Sequence, residues 1–79
     1  MSYPNAVAPP APYYIHALEP YMGTIATTEH RRADDALAWA GAALLQGDII
    51  TMTRRAEPPP SLLRTQQIII DQAVARAQS

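Results

Sequence analysis

Changes in the spacing of apolar positions divide this chain into elements. Residues 13–18, Tyr-Tyr-Ile-His-Ala-Leu, are rich in side chains that suit a half-buried strand, and Glu19-Pro20-Tyr21-Met22-Gly23 supplies turn chemistry after them. Thr24-Ile25-Ala26-Thr27-Thr28 reads as a second strand, and the two form a hairpin with a longer loop. From Ala33 to Gln46 the period becomes helical. Ala33, Ala36, Leu37, Ala40 and Leu44 fall on one face flanked by Gly41 and Ala43, with Trp39 toward its edge. Asp34 and Asp35 lie in the first turns, where the helix dipole favours negative charge, and Gly47 follows the last turn as a stop.

Residues 48–54, Asp-Ile-Ile-Thr-Met-Thr-Arg, admit two readings. As a continuation of the helix they would place Ile49 and Met52 well off the Leu37–Leu44 face, and their β-branched side chains favour a strand. Glu57 and Pro58–Pro60 then stop regular hydrogen bonding, the three prolines forming a stiff spacer of about 9 Å. Ser61 is the expected N-cap of a helix running to about Gln78. Leu62, Leu63, Ile69, Ile70, Ala73, Val74 and Ala77 share a broad face of it, with Gln66 near the middle as an interior or edge amide. Ile68 points almost the opposite way.

The resulting expectation is an α+β fold: hairpin, helix, third strand and C-terminal helix in a single domain over residues 13–79. The alternative is an all-α helical hairpin with residues 48–56 helical. Residues 1–12, with Pro4, Pro9, Pro10 and Pro12 among small side chains, form a flexible tail in either case.

Composition limits how firmly such a domain can hold itself. Although 48% of the residues are hydrophobic, much of that is alanine, and there is no phenylalanine. At roughly 25 cal/mol per Å² an alanine-rich core only just outweighs chain entropy, so help from a partner protein or from homo-oligomer formation is expected. Without cysteine there is no disulfide, thiolate nucleophile or cysteine-based metal site. The chain lacks an apolar run of membrane-spanning length and a secretion signal, so no membrane role is expected. Cytoplasmic residence is the expectation, in the host cytoplasm if the source is a phage. All six basic residues are arginine; with abundant alanine and proline this suggests GC-rich coding, as in a high-GC bacterium or its phage.

Candidate chemistry is sparse. No nucleophile elbow, phosphate-binding loop or zinc motif is present, and His16 and His30 lack companions at ligand spacing, so no catalytic residue, metal or cofactor is expected. Arg31 and Arg32 precede the first helix, while Arg54 and Arg55 end the strand that returns from it. A helix and a strand of similar length joined by a tight turn bring both pairs to one end of the domain, as an anion or nucleic-acid patch. The counter-reading is local ion pairing with Glu29, Asp34, Asp35 and Glu57. A net charge of −1 leaves nucleic acid only such a local patch.

The second candidate surface is a protein interface of Leu62, Leu63, Gln66, Ile68, Ile69, Ile70, Ala73 and Val74 on the last helix, with Trp39 as a further anchor. The expected function is a non-enzymatic protein-binding module, such as an accessory subunit or a small phage-encoded inhibitor of host machinery. Anti-CRISPR proteins match it in size alone, without any residue signature. The alternatives are a small nucleic-acid binder using the four arginines and a phage virion component.

Overall fold

The computed structural model describes residues 10–79 and has the α+β architecture expected from the sequence. Strand β1 (Tyr13–Leu18) lies between β2 (Ile25–His30) and β3 (Ile49–Thr53) in an antiparallel sheet of order β2-β1-β3. Leu18 pairs with Ile25 and with Ile49 at one end, and Tyr14 pairs with Glu29 and with Thr53 at the other. Side chains alternate between the sheet's faces. The central strand is covered on both, since Ile15 and Ala17 on one side and His16 and Leu18 on the other are all buried.

Helix α1 (Ala33–Leu45) covers the Ile15–Ala17 face. It ends where glycine is needed: Gly47 has φ +91°, its N–H donates to the Leu44 carbonyl at 2.9 Å, and the Asp48 N–H donates to Ala43 at 3.1 Å. This left-handed cap satisfies two terminal carbonyls and turns the chain directly into β3. The face turned to the sheet differs from the expected one. Ala36 and Ala43 are buried at 0% and 8% exposure, while Leu37 and Leu44 are 60% and 59% exposed. The helix is therefore rotated by about 60° from the leucine-centred orientation. Its small alanines permit close approach to the sheet, and the Trp39 ring is drawn to His30 of β2, centroids 5.8 Å apart.

The chain leaves β3 at the Tyr14 end and returns to the Leu18 end through Arg54–Pro59, so this segment runs back along the face opposite α1. Helix α2 (Pro60–Gln78) then begins two residues earlier than the expected Ser61 cap implies. Pro59 is the N-cap and Pro60 the first helical residue, because proline has the helical φ and its missing N–H lies where no intrahelical acceptor exists. Ser61 is consequently inside the helix, its carbonyl accepting from Thr65 Oγ1 at 3.1 Å.

Helix α2 reaches the sheet through a small cluster in which Leu62 and Ile69 meet Leu18, with Ile25 at its side. Its remaining attachments are to the β1–β2 turn. Gln66 Nε2 donates to the Gly23 carbonyl at 2.8 Å, and an Arg76 Nη donates to the Tyr21 carbonyl at 2.7 Å, its guanidinium 4.7 Å from the Tyr21 ring centroid.

That turn is organised by Glu19, whose carboxylate accepts the Tyr21 and Met22 N–H groups at 2.6 Å each. Backbone donation, from Met22 most of all, lowers its pKa. A carboxyl depressed on folding stabilises the fold above its unfolded value, and that contribution is lost as pH falls through the lower folded value. Wild type is therefore expected to exceed Glu19→Gln in urea midpoint near neutral pH. The gap should narrow once both are measured well below about pH 4.

Candidate protein-binding surfaces

The interface residues expected on α2 separate into an inner and an outer group. Leu62 and Ile69 are buried within the chain's own core, and Gln66 is spent on the Gly23 carbonyl, as an interior amide should be. Ile70 and Ala73 are half-buried beside the turn. Leu63 and Val74 are exposed, and with Ile70 between them they stand at i, i+7 and i+11, one flank of the helix. Ile68 is also exposed, but on the far side of α2, away from this flank.

Tyr21 and Met22 extend the apolar flank. They are 65% and 57% exposed and line a hollow with Ala73, Arg76 and Ala77. In sequence they read as turn residues; an aromatic and a methionine inside a Pro–Gly turn, where polar residues are usual, are the signal that marks them for a further role. Trp39 is half-exposed at the mouth of a groove of about 300 Å³ whose floor includes Ala17, Ala26 and Ala43. Its ring rests on His30, whose Nε2 bonds Thr28 Oγ1 at 2.8 Å.

The two arginine pairs do arrive at one end of the sheet, since His30 and Thr53 pair with Tyr13 and Tyr14 of the central strand. They remain separated by β1, about 10 Å across. Arg54 lies over the Tyr13 ring at 4.0 Å and donates to the Pro12 carbonyl at 3.2 Å and to that of Ala11, tying the incoming chain to β3. Arg32 approaches Asp34 at 3.5 Å, the one ion pair among the described residues, and both groups are well exposed. Four acids, Glu29, Asp34, Asp35 and Glu57, share this end with the four arginines. Tyr14 reports the local field: its hydroxyl donates to Glu29 at 3.0 Å, and that carboxylate, with Glu57 beyond it, raises the phenol's pKa against the opposing influence of Arg31.

No known family, curated protein or solved structure matches the chain.

Among the described residues no three His, Cys, Asp or Glu side chains gather in a group able to hold a metal ion. Among them, too, no helix is long and apolar enough to cross a membrane. The buried histidine is occupied structurally. His16 Nδ1 is 2.9 Å from Thr27 Oγ1 and Nε2 is 2.7 Å from Thr53 Oγ1. Because the Thr53 hydroxyl donates onward to the Arg55 carbonyl at 2.8 Å, Nε2 must be the donor in its bond to that hydroxyl.

Proposed function

We propose that this chain is a protein-binding module that lays the outer flank of α2 into an apolar groove on a partner protein. The observation that carries the reading is the apolar flank formed by exposed Leu63 and Val74 with half-buried Ile70 between them, continued by Met22 and Tyr21 on the turn to which the helix is tied. Helical spacing of such anchors is how amphipathic helices engage grooves. Polar Gln67 and Asp71, themselves joined at 2.9 Å, border the flank and would form the rim of the contact. An accessory subunit, a virion component and an inhibitor of host machinery can all work through such a surface. The charge balance at the arginine end gives no comparable support to a nucleic-acid reading.

The test is affinity capture from lysate of the source cells with mass spectrometry, with and without nuclease, comparing wild type with Leu63→Glu and Val74→Glu. The expected result is a protein retained by wild type in both conditions and reduced at least about tenfold by either substitution. Retention that disappears with nuclease would move the function to the arginines. Absence of any protein above background would overturn the proposal.

A further inference from the structure

Among the described residues, strand β3 is an edge strand whose outer side has no neighbour in the sheet. Exposed edges invite pairing with another chain unless charge, proline or a bulge protects them. The opposite edge, β2, carries Glu29 within the strand. Ile49-Ile50-Thr51-Met52-Thr53 carries no charge, proline or glycine, and Ile49 and Met52 are both exposed.

Helix α1 adds a second unpartnered apolar surface on the same side. Its Trp39 flank lies against His30 of β2. Leu37 and Leu44 stand roughly 140–160° around the helix from Trp39, and so toward β3. Gly41 lies between them with open space where a side chain would be, and Leu45, 92% exposed, continues the stripe. A leucine–glycine–leucine stripe beside a bare strand edge is a surface shaped for a second helix and a second strand arriving together.

From this juxtaposition we infer that two copies of the chain associate through β3, antiparallel about a two-fold axis at Thr51, to form a six-stranded sheet with the two α1 helices side by side above it. The sequence of β3 suits that arrangement. With Thr51 opposite Thr51 of the second copy, Ile50 pairs with Met52 and Ile49 with Thr53, and no like charges are opposed. The flanking positions place Asp48 opposite Arg54, so opposite charges fall at both ends of the register. In the single chain Arg54 rests on Tyr13, one strand in from the edge, so this pair acts over roughly a Debye length rather than by contact.

The size of the surface marks the association as a weak one. The strand edge is about 16 Å long and the helix about 20 Å. The area they bound falls short of the roughly 800 Å² per partner typical of stable complexes, as in weak and transient associations. This surface is separate from the outer flank of α2, so self-association and partner capture fail independently.

Sedimentation velocity from low micromolar to submillimolar concentration tests the inference, with circular dichroism confirming that variants fold. Wild type should pass from monomer to dimer. Met52→Lys, which charges the edge, and Leu44→Glu, on the helix stripe, should each weaken association at least about tenfold. The register has its own readout, because the chain has no cysteine. Antiparallel neighbours lie about 4.5–5.5 Å apart at Cα, within disulfide reach. Thr51→Cys should therefore form an oxidised dimer, while Thr24→Cys, on the exposed β1–β2 turn, should not. A chain that stays monomeric throughout would overturn the inference. So would a dimer insensitive to both charged variants, or one in which Thr24→Cys cross-links as readily as Thr51→Cys.

Discussion

His16→Ala is expected to lower the free energy of unfolding by about 2–4 kcal/mol, through an unfilled space beneath the returning chain and the loss of two hydrogen bonds. The ring is fully buried in the strand that has a neighbour on each side, and its two nitrogens join β1 to Thr27 of β2 and Thr53 of β3. Domains of this length have roughly 4–10 kcal/mol to lose, so one substitution removes a large share of the total. His16→Met separates the two causes. Methionine restores most of the volume without the hydrogen bonds, and its cost should stay near 1 kcal/mol, because the Thr27 side chain can reach water and the Thr53 hydroxyl keeps its bond to the Arg55 carbonyl. Urea titrations at low protein concentration, followed by the fluorescence of the single tryptophan, measure both. Equal losses for Ala and Met would mean that the hydrogen bonds, rather than the packing, carry the stabilisation.

The role of His16 also marks how far local sequence reaches. The strand that holds it is legible over its full length, and the third strand and both helices are legible to within two residues at their ends, because β-branched clusters, glycine stops and prolines act on neighbouring residues. The purpose of a histidine amid apolar neighbours is not, since its partners are threonines 11 and 37 positions away. The orientation of α1 failed for a related reason. Leucine dominates any hydrophobic average, yet a helix held close to a sheet turns its alanines inward. The observed rotation goes with the Trp39–His30 contact and with the short link through Arg31 and Arg32. The convergence of the arginines at one end was legible once β3 was read as a strand. Their division by β1, and the binding of Arg54 to Tyr13 and the entering backbone, depended on pairings made across the sheet. On α2 the broad apolar face was visible, but the line between its core side and its free flank is drawn by Leu18, Ile25 and the turn, none of which is near it in sequence.

The same turn contains the position where a single methyl group should have the largest effect on α2. Gly23 has φ +85°, and a Cβ there would stand 2.8 Å from Ile70 Cγ1 and 3.5 Å from the Gln66 carbonyl oxygen. Gly23→Ala therefore combines a left-handed backbone, costing about 1–2 kcal/mol for a residue with a side chain, with a collision against a β-branched residue whose χ1 has little freedom to yield. The loss should total about 2–4 kcal/mol, the share above the backbone cost arising from displacement of α2. Gly47→Ala is the natural control, because Gly47 has φ +91° with open space around it and bears the backbone cost alone. The distribution of damage distinguishes them further. Hydrogen exchange in Gly23→Ala should rise through Gln66–Arg76, where Gln66 and Arg76 tie the helix to the Gly23 and Tyr21 carbonyls, while β1 and α1 keep most of their protection. In Gly47→Ala the rise should centre on the α1–β3 junction and leave α2 unchanged. Equal destabilisation by the two substitutions, with α2 protected in both, would show that Gly23 is required for its backbone angle alone and that Ile70 gives way.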